Sequence, residues 1–161
     1  MNRRIISTPC GKLLLCAKNG KICEIRCMED AGESAVHAED AVLDKAQRQL
    51  EEYFAGNRRS FSLPLAPAGT VFERAVWQRI AAIPYGNTMT YGALAAELGM
   101  PKGARAVGGA CARNPLLIVV PCHRVIAGTG KLTGFAAGMD MKRALLSLEG
   151  WKICGDRVAE G

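Results

Sequence analysis

Residues 90–113 read TYGALAAELGMPKGARAVGGACAR, and this stretch predicts the architecture of the second half of the chain. Thr90 precedes a short helical segment at 91–98, and the glycine and proline within 99–101 mark a turn. A second helix is expected at about 103–113. Two short helices across a tight turn are typical of a helix-turn-helix.

The second of these helices is poor in side chains that read base edges. Its adjacent glycines, Gly108 and Gly109, cost about 2 kcal/mol of helix stability relative to alanine, and they permit close approach of another backbone. That backbone belongs either to a packed helix or to a nucleic acid. Lys102, Arg105 and Arg113 suit contacts to phosphates and to groove shape without sequence choice.

The N-terminal region has the pattern of β structure. Residues 12–18 and 21–27 are rich in apolar side chains, and Asn19-Gly20 between them is a favoured two-residue hairpin turn. Strand alternation places Cys23 and Cys27 together on the core face of the second strand.

Helical spacing of apolar residues predicts further helices at 40–55 and 139–149. Thr70 with Glu73 forms a capping box, which predicts that another helix begins there and ends before the proline at 84.

Length and composition limit the possible classes. With 161 residues, 49% of them hydrophobic, the chain can bury one good core or two small ones. We predict an α+β fold with a small antiparallel-sheet domain at 1–69, including a linker from about residue 57, and a helical domain at 70–161. No apolar stretch approaches the roughly 20 residues of a membrane span, so no membrane partner is expected. The net charge of +6 favours a polyanionic partner only weakly, because many such surfaces are ordinary solvated faces.

The seven cysteines are an odd number, which fits a reducing, intracellular compartment better than a disulfide scaffold. Cys10, Cys16, Cys23 and Cys27 are candidate zinc ligands, but their spacing lacks the paired C-x2-C knuckle. Strand alternation already accounts for two of them, so we expect no bound metal.

Residues 118–125, IVVPCHRV, place a thiol, an imidazole and a guanidinium side by side at the end of an apolar run. A thiolate is a strong nucleophile, and a nearby base or cation lowers the pKa of its thiol. Cys122 is therefore a candidate nucleophile with His123 as its base. The alternatives are a buried structural thiol and an ordinary surface or core imidazole.

Glu149 is a third candidate for this site. It occupies the last position of a predicted helix, where the helix dipole disfavours an anion, and such a conflict suggests a compensating partner such as an imidazole. The alternative is a solvated carboxylate, which the sequence alone favours. If the three residues form a relay, the Cys122 thiolate should form more readily than that of a free thiol.

Together these segments resemble the O6-alkylguanine-DNA alkyltransferases, the methylated-DNA–protein-cysteine methyltransferases. The resemblance runs from Thr8 to Gly150, nearly the whole chain. Seven ordered blocks carry it: FERAVW at 72–77, IPYG at 83–86, TYG at 90–92, RAVGGA at 105–110, NP at 114–115, PCHRV at 121–125 and LEG at 148–150.

The resemblance implies a small ribonuclease-H-like N-terminal domain and a helical C-terminal domain with a winged helix-turn-helix. It implies a cytoplasmic, monomeric DNA repair protein without a cofactor, which binds duplex DNA through the minor groove and flips the damaged base. The alkyl group of O6-alkylguanine, and of O4-alkylthymine, would pass to the protein's own cysteine. Because such a site does not hydrolyse the resulting thioether, each chain would act once.

The matched blocks also imply roles for individual residues. Cys122 would attack the alkyl carbon, His123 would take its proton through a water, and Glu149 would orient and stabilise the imidazolium. Tyr91 would push the backbone phosphate during flipping and donate a proton to guanine N3. Asn114 would brace the turn around the site.

By the same resemblance, DNA contacts are implied around the start of the second helix of the motif. Arg105 would fill the space left by the extruded base. The other implied contacts come from the same region: Thr90, Tyr91, Ala104, Ala106, Gly108 and Arg113.

The loop at 126–138 would roof the pocket, and the main-chain carbonyls of Cys122 and Val125 would accept from the exocyclic amine of guanine. Phe135 stands where many relatives have a tyrosine, so its ring can pack on the flipped base without donating a hydroxyl to O6. Ala136 follows it in the pocket lining.

Three other functions compete with alkyl transfer. A non-catalytic alkyltransferase-like protein lacks the active cysteine, whereas this chain has Cys122. A Cys-His-Glu thiol hydrolase would turn over repeatedly and would give no reason for Arg105 or the helix-turn-helix. A regulator that signals through cysteine methylation would carry a further transcription-factor domain, of which this sequence shows none.

Overall fold

A computed structural model of the chain describes residues 1–28, 39–133, 135 and 137–159. The chain divides into two compact units, Met1–Ala68 with Pro115–Leu117, and Gly69–Asn114 with Ile118–Gly161. The first unit is built on a sheet and the second mainly on helices, so the predicted α+β class is confirmed.

The first unit contains an antiparallel sheet in the order β1-β2-β3, with strands β1 (Asn2–Thr8), β2 (Gly11–Lys18) and β3 (Lys21–Cys27). Asn19 and Gly20 both have positive φ, 53° and 73°, as the predicted two-residue hairpin turn requires. Helix α1 (Ala41–Phe54) packs on this sheet, and the side chain of Asp40 caps its N-terminus. The central strand β2 is buried along most of its length.

A β-bulge changes which residues of β3 face the core. Cys23 is inserted opposite the step between Cys16 and Ala17. Ile22 and Ile25 are therefore the fully buried residues of β3, while its two cysteines are half-buried. The expectation of a core-facing Cys23 was wrong, because an inserted residue breaks the simple alternation on which it rested.

The outer edge of β3 is hydrogen-bonded to two segments that are not regular strands. Ile22 exchanges hydrogen bonds of 2.8 Å with residues 64–66, and Ile25 exchanges bonds of 2.8 and 3.1 Å with residues 115–117. Residues 64–66 belong to the stretch predicted as a linker, so that part of the linker is hydrogen-bonded into the first unit.

In its described residues the second unit has the α-helices α2 (Val71–Ala81), α3 (Tyr91–Glu97), α4 (Ala104–Ala112) and α5 (Met139–Leu148). The Thr70 hydroxyl accepts from the Glu73 amide at 3.1 Å and the Glu73 carboxylate accepts from the Thr70 amide at 2.9 Å, which confirms the capping box. Helices α3 and α4 form the predicted helix-turn-helix. The Trp77 indole donates to the Ala110 carbonyl at 2.8 Å and thereby ties α2 to α4.

Short strands complete the second unit. Strand β4 (Met89–Thr90) pairs in parallel with β5 (Val125–Ile126), while β6 (Lys152–Cys154) and β7 (Arg157–Ala159) form a C-terminal hairpin. The apolar side of the hairpin packs on a buried cluster of Ile126, Leu132 and Leu146. Strands of two or three residues carry too little alternation to be predicted from sequence. No helix in the described ranges is long and apolar enough to cross a membrane.

We predict that Thr70→Ala lowers the free energy of unfolding by about 1 kcal/mol, because it removes the hydroxyl that caps the first turn of α2. Chemical denaturation compared with the wild-type protein measures the change. Ser147→Ala, on the exposed side of α5, is the control and should leave the midpoint almost unchanged. An equal midpoint for Thr70→Ala and wild type would show that the capping box contributes nothing.

Candidate active site

Cys122 lies in a tight turn at the end of the buried run. Pro121 has φ −82° and ψ 65°, an inverse γ-turn in which the Cys122 amide donates to the Val120 carbonyl at 2.8 Å. One 3₁₀ turn, Cys122–Arg124, follows it. Side chains on such a turn point in three directions, and here all three are buried.

A buried carboxylate joins two of these side chains. The Glu149 Oε2 lies 2.6 Å from His123 Nε2, and Arg124 donates to both carboxylate oxygens, from Nε at 2.7 Å and from Nη2 at 3.0 Å. Glu149 caps the C-terminus of α5 and is only 6% exposed. The solvated alternative that the sequence favoured was therefore wrong, because Arg124 and His123 compensate the anion at the helix end.

Arg124 is a member of this cluster that the sequence did not assign to Glu149. Its Nη1 donates to the Ile83 carbonyl at 2.7 Å, and its guanidinium lies 5.7 Å from the centre of the Tyr85 ring. The Tyr85 hydroxyl in turn donates to the Leu148 carbonyl at 3.1 Å. Ile83 and Tyr85, which follow α2, thus hold Arg124 in place, and Arg124 in turn holds the Glu149 carboxylate.

The contacts of His123 define its tautomer. Because Nε2 faces the Glu149 carboxylate, we assign the proton to Nε2 and the free lone pair to Nδ1. Nδ1 is buried and has no hydrogen-bond partner among the described residues. Burial lowers the pKa of His123, although Glu149 opposes this effect, so the imidazole is neutral at pH 7 and Nδ1 can accept a proton.

Cys122 and Cys111 of α4 are both buried, each 3% exposed. The neighbouring Cys111 thiol, as a hydrogen-bonding group, together with burial raises the pKa of Cys122, whereas the neighbouring Cys122 thiol lowers the pKa of Cys111. A second thiolate beside a first is disfavoured by repulsion. The direction of this pKa shift runs against the expected ready ionisation of Cys122, which stays a prediction.

Asn114 connects α4 with the turn that carries Cys122. Its backbone N–H donates to the Cys111 carbonyl at 3.2 Å, and its side-chain Nδ2 donates to the Val120 carbonyl at 2.8 Å. The Val120 carbonyl also accepts from the Cys122 amide, and the Asn114 side chain contacts the Cys122 thiol. The buried Asn114 therefore ties the backbone at Cys111 to the backbone at Cys122.

Lys142 is a second buried charge, and the sequence analysis missed it. It is fully buried on α5, and its Nζ donates to the carbonyls of Val125 at 2.7 Å and Thr133 at 2.9 Å. Burial lowers its pKa to about 8. A lysine at helical spacing with the apolar Leu145 and Leu146 was the available signal.

Tyr91 meets the same carbonyl of the roof loop. Its hydroxyl donates to Thr133 O at 3.2 Å, its ring lies 6.0 Å from Lys142 Nζ, and burial raises its pKa. The C-terminal hairpin holds this loop from the other side, because Leu132 N donates to the Asp156 carbonyl at 2.6 Å. The ring of Phe135 stands nearly perpendicular to that of His123, with centroids 6.4 Å apart. Ala136 lies outside the described residues.

The start of α4 presents an exposed surface. Arg105 and Ala106 are exposed and Ala104 is half-exposed, and Arg105 makes no hydrogen bond or ion pair with the described residues. A Cβ added at Gly108 would meet only the Tyr91 ring, at 3.9 Å, apart from its own helix. Among the described residues no backbone of another helix lies within 4 Å of this position, which argues against helix packing as the reason for this glycine.

Two residues predicted to contact DNA have partners within the protein. The Thr90 hydroxyl accepts from the Ala93 amide at 3.0 Å and caps α3. Arg113 donates through Nε to the Glu73 carboxylate, and its side chain is 60% exposed. Among the described residues, no three side chains of His, Cys, Asp or Glu form a group suited to a metal ion.

A buried thiol beside a His-Glu pair, on a unit that also carries a helix-turn-helix, defines a DNA-binding protein with a cysteine nucleophile. Residues 71–151 match the family model described as 6-O-methylguanine DNA methyltransferase, DNA binding domain. Residues 1–67 match the ribonuclease-like domain of the same proteins. The chain belongs to the 6-O-methylguanine DNA methyltransferase family.

Individual relatives agree over nearly the whole chain. The methylated-DNA–protein-cysteine methyltransferase of Methanosarcina acetivorans is 45% identical over 152 residues, which cover 91% of this chain and 96% of the relative. The constitutive methylated-DNA–protein-cysteine methyltransferase of Bacillus subtilis is 41% identical over 150 residues, which cover 88% of this chain and 91% of the relative. The crystal structure of Mycobacterium tuberculosis OGT in complex with DNA has a TM-score of 0.84 at 41% identity, covering 92% of each chain.

The depressed pKa of Lys142 predicts a specific pH dependence of stability. In the unfolded chain the lysine titrates near pH 10.4, whereas in the folded chain its pKa is about 8. Between these values the unfolded state binds more protons, so Lys142 destabilises the fold below pH 8 and this cost disappears as the pH rises to about 10.4.

We therefore expect the stability of wild type relative to Lys142→Met to rise with pH in this window, by up to about 1.4 kcal/mol per pH unit. Denaturation at a series of pH values measures the difference. Lys152→Met, at an exposed lysine, is the control and should show a flat difference. A flat difference for Lys142→Met would contradict a depressed pKa.

Proposed function

We propose that the chain is a single-use DNA repair protein that transfers the alkyl group from O6 of an alkylguanine in duplex DNA to Sγ of Cys122. The observation that carries this proposal is the buried His123–Glu149 pair directly after a buried, turn-mounted thiol. DNA binding and chemistry both fall in the domain at 70–161, which we propose as the functional unit, with 1–69 as the other domain.

The transfer forms a bond between Sγ and the alkyl carbon and breaks the bond between that carbon and O6. The proton of Cys122 passes through a water to Nδ1 of His123, which lacks a partner among the described residues. Glu149 stabilises the imidazolium that results, while Arg124 fixes the carboxylate in place. Tyr91 exchanges the Thr133 carbonyl for guanine N3 and donates its proton as the purine leaves.

The pocket contacts follow from the turn and the roof loop. The carbonyls of Cys122 and Val125 accept from the exocyclic amine. Lys142 Nζ also donates to the Val125 carbonyl and holds it in position. The Phe135 ring packs against the flipped base, with Ala136 beside it. Asn114 keeps the turn in the geometry that exposes Sγ to the alkyl group.

DNA contacts come from the start of α4. Arg105 is exposed and has no hydrogen bond or ion pair with the described part of the chain, so it can enter the base stack in place of the flipped nucleotide. Ala104, Ala106 and Gly108 let the minor groove approach, and the exposed guanidinium of Arg113 reaches a phosphate. Tyr91 and Thr90 flank this surface at the start of α3.

Further parts of the proposal rest on chemistry. O4-alkylthymine carries its alkyl group on an equivalent exocyclic oxygen, so it is included as a substrate. A cytoplasmic location is proposed because seven unpaired cysteines, one of them the nucleophile, require a reducing compartment. We also propose that the protein acts as a monomer. No cofactor takes part, since the thiol is both nucleophile and final acceptor.

The stoichiometry of transfer tests the proposal. With excess O6-methylguanine duplex, we expect one methyl group per chain, located on Cys122 by intact-protein and peptide mass spectrometry. Cys154→Ser removes the exposed cysteine and should transfer normally. Repeated turnover would favour a thiol hydrolase, and a methyl group on Cys154 with Cys122 unmodified would refute the assigned nucleophile.

A second experiment separates base flipping from chemistry. Arg105→Ala should slow repair of duplex DNA by about a hundredfold, because unstacking a base costs a few kcal/mol, while reaction with free O6-benzylguanine stays nearly unchanged. Lys102→Ala removes a neighbouring exposed charge and should weaken DNA binding without this split. An equal loss on both substrates would show that Arg105 supports the fold or the pocket instead.

A further inference from the structure

We propose that Val158 of the C-terminal hairpin is a positioning residue for alkyl transfer, because it holds the roof loop against β7 and thereby fixes the Thr133 carbonyl. The inference rests on the proposed function and deepens it. It assigns a task in the reaction to a hairpin that carries none of the residues proposed for chemistry or for DNA binding.

The first observation is that residues 130–132 of the roof loop pair with β7 like a further strand. Leu132 N donates to the Asp156 carbonyl at 2.6 Å, and Val158 N donates to the Gly130 carbonyl at 3.1 Å. Two backbone hydrogen bonds that run in opposite directions define an antiparallel register. The roof loop therefore continues the sheet of the hairpin on the edge opposite β6.

Apolar packing supports the same pairing. The side chain of Leu132 is buried in a cluster with Ile126 and Leu146. Val158 and Ile153, one from each strand of the hairpin, pack against this cluster. A segment that is hydrogen-bonded along one edge and buried through its side chain opens less readily than a free loop.

The paired segment leads directly to a carbonyl that two site residues share. Thr133 follows Leu132, and its carbonyl accepts from the Tyr91 hydroxyl at 3.2 Å and from Lys142 Nζ at 2.9 Å. Lys142 Nζ also donates to the Val125 carbonyl. A shift of the roof strand therefore moves the acceptor of Tyr91 and the support of Val125, which both meet the purine in the proposed transfer. A displacement of about 1 Å at such a distance from the chemistry can lower a rate about a hundredfold.

The direction of one amide allows this contact to be removed by itself. Val158 lies opposite Ile153 in the hairpin, and its N–H points to the roof loop and so away from β6. Val158→Pro removes the hydrogen bond to Gly130 and leaves the hydrogen bonds between β6 and β7 in place. Val158→Ile is the matched control, because it keeps both the N–H and a branched apolar side chain.

Single-turnover kinetics with O6-methylguanine duplex tests the proposal at a temperature well below the unfolding of each variant. We expect Val158→Pro to lower the maximal transfer rate at saturating duplex by at least about tenfold. The duplex concentration that gives half of this rate should stay within about twofold, because the DNA-binding surface of α4 is unchanged. Val158→Ile should match the wild-type protein in both quantities.

A hairpin that only stabilises the fold would give a different result. Thr70→Ala removes the cap of α2 and is the stability control, since it should unfold more easily and still transfer at the wild-type rate. A wild-type maximal rate for Val158→Pro would overturn the positioning role. An equal loss in Val158→Pro and Val158→Ile would overturn it too, because the isoleucine variant keeps the hydrogen bond.

A second experiment locks the roof strand instead of releasing it, and it decides the question if Val158→Pro does not fold. Lys131 lies opposite Arg157 between the two hydrogen bonds. In such non-hydrogen-bonded pairs the Cα atoms are about 4.5 Å apart, which is within the range of a disulfide. Lys131→Cys with Arg157→Cys, oxidised to that disulfide, should transfer at the wild-type rate in samples whose peptide map shows reduced Cys122.

The remaining outcomes separate this inference from the proposed function. A locked protein with reduced Cys122 that transfers only after dithiothreitol treatment would show that the roof must leave the hairpin, and would overturn the inference alone. A wild-type protein that accepts no methyl group would refute the proposed function, and the positioning role with it.

Discussion

The buried carboxylate of Glu149 is the constraint on which the second unit depends. A carboxylate removed from water costs several kcal/mol unless charged or hydrogen-bonding partners surround it. Here the partners include His123, Arg124 and the Gly86 amide, and Arg124 Nη1 in turn donates to the Ile83 carbonyl. The end of α2, the cysteine turn and the end of α5 must therefore meet at one point. This requirement gives a physical reason for the IPYG, PCHRV and LEG blocks to occur in one sequence.

A second buried charge extends this arrangement to the roof of the pocket. Lys142 bridges the carbonyl of Val125, directly after the cysteine turn, and that of Thr133 in the roof loop. The Tyr91 hydroxyl binds the same Thr133 carbonyl. In the proposed transfer Tyr91 exchanges this carbonyl for a nitrogen of the base, so the proposal couples substrate entry to the position of the roof through the Thr133 carbonyl oxygen.

The sequence predicted the parts of this molecule that local rules determine. The Thr70–Glu73 capping box, the Asn19-Gly20 turn and the helix-turn-helix each depend on neighbouring residues, and all three are present. Cys23 was wrongly predicted to face the core, because the β-bulge at this residue depends on pairing with β2 and not on the sequence of β3 alone.

The burial of Glu149 and Lys142 could not be derived from their own neighbourhoods, since each is compensated by groups distant in sequence. Arg124 shows the same limit: its position beside His123 was evident, but its carboxylate partner is 25 residues away. The roles of the site residues come from the family resemblance, and the structure supplies the contacts on which those roles would depend.

The raised pKa of Cys122 fits a protein that reacts only once. A thiol that ionised at rest would be consumed by any electrophile, and a single-use protein cannot replace it. The neighbouring Cys111 thiol and the burial of Cys122 favour the protonated form of that thiol, and Nδ1 of neutral His123 has no hydrogen-bond partner among the described residues. In the proposed transfer, the proton of Cys122 creates an imidazolium beside Glu149 and a thiolate near the Lys142 ammonium, so both new charges find compensation. On that proposal the reactivity of the site belongs to the substrate-bound state rather than to the resting thiol.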